Sequence, residues 1–516
     1  MWVKKGFASG PFDSPPRACF RVNPLIAIEQ HGKVRPVLNV SEPVGRSFND
    51  NVSKNGVEKV YMSSAKDFGY SLCKAGVSAN FSKFDLSDAY KNVPSKTSDF
   101  RLQGFSWLGK FFFESHQIFG AISSVSNYDI FGHTVEDVAV VISETPAELT
   151  HRRLDDVPNV APASTQWCEK FSSVYSNLCD AINVKLAPDC PNNDKAFRMV
   201  KEGKVLGIIF RSEDLSWSLS VEKKVNILNA ISILLAGDSV NLLFIQKLLG
   251  RLSDICQMCP FMRAFKRPII DMLVLLQSES EWSITAPQAA KADLLVWAGM
   301  LSTSEWLPVP REPGGPTLRH KLFTADAAGV AEGEVNDGAG VGGVGLDEDG
   351  LVITCFQYIW NNDMICFMKD SKGARFGSKT STLEMVGIVL PFLLYPKMLM
   401  NQHVVFSTDN MGCFFGWENM SVKGDVTASI LVKSVLLMST FLGTTVHVIH
   451  VPRTSTWENV VADKLSRRKT TTHTVKKLLN SFGMTMVPQF FDEWLSCPSE
   501  DWHMPIRCLD FVKSII

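Results

Sequence analysis

KLFTADAAG at residues 321–329 and HVVFSTDN at 403–410 decide the fold of the C-terminal half. Both are short, β-branched and aromatic runs that end in polar residues, the pattern of buried strands. Between them GVGGVGL (340–346) and LVITCFQYIW (351–360) read as two further strands joined by a DEDG turn at 347–350. Beyond them VTASILVKSVLLMSTFLG (426–443) reads as a helix, TVHVIHVP (445–452) as a strand and ENVVADKLSRR (458–468) as a last helix. A further helix is expected from about Thr382. Three antiparallel strands followed by alternating helices and strands define one α/β domain. GAGVGG at 338–343 matches the glycine pattern of a dinucleotide site, but that pattern needs a helix directly after it, and here a strand follows. These glycines are expected to serve close strand packing or a hairpin instead.

Four acids lie in these elements: Asp326 on the first strand, Glu384 early in a helix, Asp409 at the end of a buried strand and Asp463 in the last helix. Each interrupts an apolar segment, which is costly unless a cation or hydrogen bonds compensate. Four carboxylates from four elements suit a two-metal centre for phosphoryl chemistry. His447 and His450 alternate on a strand and read as structural.

Working back from this domain, LPVPREPGGP (307–316) is dense in Pro and Gly and marks a boundary. Before it, VEKKVNILNAISILLAG (221–237) and LLFIQKLLGRLSDICQMC (242–259) repeat apolar residues at helical spacing, giving two or three amphipathic helices. The first 215 residues or so mix short apolar runs with Gly, Pro and Asn, the texture of strands and short helices. In them KFDLSDAYKNV (83–93) places Asp85 at the end of an apolar run, and RRLDDVPNV (152–160) sets Asp155 beside Asp156. Adjacent carboxylates repel, so their burial calls for a cation. Converging from a strand and a hairpin, the three could hold two Mg²⁺ ions; a solvated DD turn and an Asp88 cap are the plainer alternative.

The chain has 516 residues, 45% hydrophobic and 20% charged, enough for two or three cores and unlike a disordered segment. Its net charge of −1 shows no general basic excess, so any nucleic-acid contact must rest on local basic clusters. Twelve scattered cysteines and no secretory leader suggest reduced thiols in an intracellular protein, cytoplasmic or nuclear; Cys256 and Cys259 read as buried thiols, lacking a second ligand pair. SRRK at 466–469 is a weak basic import signal. The longest apolar run, near Val386–Met400, is broken by Pro391, Pro396 and Lys397, so no membrane span is expected.

In order along the chain, GKVRPVLNVSEPVGRSFND, KFDLSDAYKNVP, LGKFFFESHQIFGAISS, RLDDV, VLGIIF and LLGRLSDICQMCPFMRAFKRPIID resemble the successive blocks of a retroelement reverse transcriptase, nearest to the DIRS-type (tyrosine-recombinase) retrotransposons. HVPRTSTWENVVADKLSRR resembles the closing block of that family's ribonuclease H domain, with Asn459 and Ala462-Asp463 introducing the last helix. The resemblance implies an α+β right-hand polymerase of fingers, palm and thumb followed by an α/β ribonuclease H-like domain. It implies fingers and palm at 1–218, a helical thumb at 219–276, a connection and linker at 277–318, the nuclease at 319–470 and a helical tail at 471–516, with Trp494 and Trp502 as anchors.

By the same resemblance, Asp85, Asp155 and Asp156 are catalytic ligands of Mg²⁺ or Mn²⁺ in the polymerase, and Asp326, Glu384, Asp409 and Asp463 those of the nuclease. Arg35 would meet the incoming triphosphate, and Tyr90 would crowd the sugar 2′ position. Phe119 and Gly120 would line the nucleotide pocket, with Arg263, Lys266 and Arg267 near backbone phosphates. The implied partners are an RNA template, a DNA primer, an RNA/DNA hybrid and deoxynucleoside triphosphates. The sequence departs from the family pattern at Arg153, where Tyr or Phe is usual, and at Val125, where Pro is usual; AELTHRR before the Asp pair is unusually polar. Two other functions stay open: a hybrid-binding platform with nuclease activity alone, and a non-enzymatic nucleic-acid-binding protein. Template, primer and oligomeric state are not set by the sequence.

Overall fold

The computed structural model describes residues 2–491 apart from 31–32, 54, 56, 58, 190–194, 279–281, 304–305, 311–319, 330–337, 363, 366–379, 454 and 485–488. It mixes helix and sheet and divides into two compact units, Met1–Lys224 with Ser304–Arg311, and Val225–Thr303 with Glu312–Ile516.

In the first unit the strands are β1 (Ala8–Phe12), β2 (Leu25–Gln30), β3 (Lys33–Leu38), β4 (Asn80–Asp85), β5 (Gly104–Trp107), β6 (Lys110–Glu114), β7 (Asp156–Ala161), β8 (Phe197–Val200), β9 (Glu202–Val205), β10 (Ile208–Arg211), β11 (Ser216–Ser218) and β12 (Leu307–Pro308). Strand β4 is the centre of a three-stranded antiparallel sheet, between β7 and β8. The period-two rule sends Phe84 and Leu86 to one face, against helices Ile122–Ser143 and Trp167–Ala181, where they join Val135, Val157, Phe171 and Tyr175. Phe81 faces the other way, edge-on to Phe68 of helix Ala65–Ala75. That helix starts at a reciprocal cap between Ser64 and Asp67. Sheet β1-β6-β5 and hairpin β2-β3 lie before and between these elements in sequence, and β9 to β12 make a four-stranded antiparallel sheet. The start of the Pro/Gly linker is thus paired, because Leu307 and Pro308 lie against β11; 311–319 lie outside the described residues.

The second unit contains helices Leu242–Met258, Arg267–Ser278 and Gln288–Thr303, the last of which was not expected from the sequence. Its strands β13 (Lys321–Ala327), β14 (Gly340–Leu346), β15 (Val352–Ile359), β16 (His403–Thr408), β17 (Thr445–His450) and β18 (Gln489–Phe491) form one sheet in the order β17-β16-β13-β14-β15-β18. The pairs β13-β14 and β14-β15 are antiparallel, while β16, β17 and β18 join in parallel. Helices Thr380–Leu394 and Val426–Leu442 sit in the connections, the second capped by Asp425 and closed by Gly443 at φ 65°. Helices Trp457–Arg467 and Thr472–Ser481 bury Val461, Leu465, Val475 and Leu479 against Val344, Leu346 and Cys355. Of the expected helical tail at 471–516, helix Thr472–Ser481 is present and is followed by the short strand β18, paired with β15; residues 492–516, with Trp494 and Trp502, lie outside the described residues.

The glycines of β14 explain the dinucleotide-like motif. A Cβ on Gly342 would stand 2.2 Å from Leu465 Cβ and 2.6 Å from the Ser466 nitrogen, so only glycine lets helix Trp457–Arg467 pack this close. Among the described residues no helix is long and apolar enough to cross a membrane.

Candidate metal centre and carboxylate sites

Asp326, Glu384 and Asp409 converge from β13, the first turns of helix Thr380–Leu394 and the end of β16. One ligand oxygen from each lies within 4.8 Å of the others, and among the described residues this is the sole group of three or more such side chains. Parallel pairing of β13 with β16, Thr324 opposite Ser407, brings the two aspartate-bearing strand ends side by side. Glu384 is buried among apolar neighbours, and burial raises its carboxyl well above the usual range, the Asp326 and Asp409 charges adding to the effect. Burial also raises Asp326, opposed by a 2.5 Å hydrogen bond from Ser466 Oγ and by the Arg453 charge. A close group of three acids, two of them raised by burial, fits a divalent cation, whose charge would offset their mutual repulsion.

Asp463 stands apart from that group. Arg453 donates to its Oδ1 from Nε (3.1 Å) and Nη2 (2.5 Å), and Arg467 Nε donates to the same oxygen at 2.9 Å. Arg453 also reaches Asp326 at 3.6 Å and Asp409 at 3.9 Å. The loop carrying it is fixed by buried Asn459, whose amide donates to the Pro452 carbonyl at 3.0 Å. Sequence reasoning missed Arg453; its signal was a lone cation beside an acid-bearing helix.

In the first unit Asp85 and Asp156 are direct cross-strand partners on β4 and β7, and Asp155 occupies the turn before β7. Like charges opposite each other repel. Lys83 approaches Asp156 at 3.9 Å, and Lys195 approaches Asp85 at 3.7 Å. Burial lifts the Asp156 carboxyl from 3.8 to about 6 despite Lys83, and burial likewise raises Asp155. The turn is closed by Arg153 and Asp156, each amide donating to the other's carbonyl, and Leu154 takes φ 58°, a region that costs energy for a branched residue. These three acids come together in one hairpin and strand end, yet without the close three-way approach found in the second unit.

The polar AELTHRR stretch is accounted for by pairing. Arg152 is buried, donates to Asp129 and forms an ion pair with Glu136 at 3.3 Å without a hydrogen bond, both acids on helix Ile122–Ser143. His151 Nε2 lies 2.8 Å from Ser71 Oγ. Arg153 stays at the turn, at the position where Tyr or Phe was expected.

Tyr90 is buried, edge-on to Phe119 at 4.8 Å and to Tyr128 at 5.5 Å. Phe119 is half exposed, and Gly120 has φ 86°. Arg35 falls on β3, its side chain outside the described residues. Arg263 is exposed, Lys266 donates to Ser253 Oγ at 2.9 Å and Arg267 pairs with Asp271 at 3.0 Å. Asp88 carries no capping bond; it pairs with Lys5 at 2.6 Å. Cys256 and Cys259 are buried free thiols.

No family model and no curated protein matches the chain. Among solved structures it is similar, at 13% identity, to the foamy viral protease-reverse transcriptase. In the dRH form with double-stranded DNA, 87% of this chain and 68% of that chain align with a TM-score of 0.46. With an RNA/DNA hybrid the values are 88%, 54% and 0.47, and with double-stranded DNA 95%, 80% and 0.44.

Proposed function

We propose that the chain is the RNA-directed DNA polymerase of a DIRS-type retrotransposon, with ribonuclease H activity on RNA/DNA hybrids. The convergence of Asp326, Glu384 and Asp409 from three elements carries this reading, because a group so close together could hold a divalent cation for phosphoryl chemistry. Bound Mg²⁺, or Mn²⁺, would supply charge neutralisation and water activation for phosphoryl transfer. The chain's own part is to hold those ligands: Ser466 fixes the Asp326 carboxyl, and close packing at Gly342 sets the helix bearing Asp463. In the polymerase half, Asp85, Asp155 and Asp156 would hold the same type of ion beneath the primer end. Arg35 would bind the triphosphate of a deoxynucleotide, Tyr90 backed by Phe119 and Gly120 would exclude a 2′-hydroxyl, and Arg263, Lys266 and Arg267 would follow the duplex backbone. This reading assigns 1–218 to fingers and palm, 219–276 to thumb, 277–318 to connection and 319–470 to nuclease.

A second reading, nuclease activity alone on a polymerase-like platform, draws on one observation: the Asp85, Asp155 and Asp156 oxygens do not approach as the nuclease acids do. Extension of a DNA primer on an RNA template in Mg²⁺, beside cleavage of the hybrid's RNA strand, separates the two. Extension abolished by Asp155→Asn/Asp156→Asn supports the polymerase; cleavage with no extension leaves the nuclease alone, and neither activity rejects both.

A further inference from the structure

We infer that Arg453 is a built-in competitor for the carboxylate centre, holding Asp463 apart from it and yielding when divalent metal enters. This rests on the reading of Asp326, Glu384 and Asp409 as metal ligands. Arg453 is the cation that touches three of the four acids: doubly bonded to Asp463, 3.6 Å from Asp326 and 3.9 Å from Asp409. Asp463, the acid it grips hardest, is also the one missing from the close group. A guanidinium forked onto a carboxylate oxygen occupies lone pairs that a metal would need. Its positive charge also repels a divalent ion entering the same few ångströms.

The geometry makes the competitor removable. The Arg453 side chain is 48% exposed, so it can swing outward into water without opening the core. Asn459 pins the loop backbone through Pro452, so the exchange needs only a side-chain rotation. Arg467 holds the same Asp463 oxygen from one turn along the helix, and it keeps that acid partly neutralised after Arg453 leaves. Empty, the centre is stabilised by Arg453; filled, it gains the fourth acid.

The test is a Mn²⁺ titration of the full chain, followed by the loss of the free-ion electron paramagnetic resonance signal. Asp326→Asn identifies which binding belongs to this centre. Arg453→Gln is expected to bind that Mn²⁺ about tenfold more tightly, equivalent to about 1.4 kcal/mol, and to melt at lower temperature than the parent chain in chelator. Arg453→Lys, which keeps the charge and loses the fork, is expected between the two. Unchanged or weaker binding in Arg453→Gln overturns the competitor while leaving the metal centre in place. Should that variant not fold, Arg453→Lys decides alone, binding no tighter than the parent chain being the overturning result. Binding that Asp326→Asn fails to reduce in any variant overturns the metal centre itself.

Discussion

Replacing Glu384 by Gln keeps its shape and removes its charge, so it isolates the electrostatic cost of the centre. The Glu384 carboxyl is raised by burial and by Asp326 and Asp409, so in the metal-free fold it holds its proton to higher pH than in the unfolded chain. The native state therefore binds more protons, and stability falls as pH rises from the ordinary carboxyl range towards the raised value. Each pH unit within that window costs the parent chain up to about 1.4 kcal/mol relative to the Gln variant. The spacing gives a similar scale: with oxygens within 4.8 Å, each pair of like charges repels by about 3.5 kcal/mol at an effective dielectric of 20. Hydrogen exchange of β13 and β16 peptides, in chelator across that pH range, reads this locally. Excess protection in Glu384→Gln should grow with pH. In Mg²⁺ at a hundredfold its dissociation constant the order should reverse, because the parent chain then gains about 2.7 kcal/mol that the variant largely forfeits. A pH-independent difference between the two proteins, or equal metal gains, would refute the reasoning.

Asp409→Asn should abolish cleavage of the RNA strand in a hybrid while primer extension persists, measured on the two substrates in parallel. Arg152→Ala leaves buried Glu136 and partly buried Asp129 without the Arg152 cation and should destabilise the first unit by about 3–5 kcal/mol in urea unfolding; a loss under about 1 kcal/mol would show that the pair is solvated. Gly342→Ala drives a methyl into Leu465 and should cost about 1–3 kcal/mol, with faster hydrogen exchange in helix Trp457–Arg467 as the readout.

The acids that converge in the second unit were signalled locally, each interrupting an apolar run, whereas Asp155 and Asp156 were signalled only as neighbouring like charges. Strand β14 was legible as a short apolar run between turn signals, and the close packing expected of its glycines is seen at Gly342 against Leu465. What the sequence hid are pairings across long separations. Arg152 looked like a polar fault in a palm strand until Asp129 and Glu136, on a helix before it, were seen to neutralise it. Helix Gln288–Thr303 was missed because its buried Ala290, Ala292, Leu294 and Trp297 show no clear polar face, leaving no periodicity to read. Strand β18 was missed because its partner, β15, lies over a hundred residues earlier.

The same long-range pairing answers the puzzle of the net charge. A chain that gathers acids in two places, yet totals −1, must keep compensating cations somewhere. Part of that compensation sits at the acids themselves: Lys83 and Lys195 approach Asp156 and Asp85, and Arg453 and Arg467 meet Asp463. Cations held at carboxylates contribute little to a surface-wide positive field. The weak overall basicity is therefore poor evidence against nucleic-acid binding here. The relevant quantity is the local charge each site exposes, since phosphate contacts are made by nearby cations and not by the net charge of the chain.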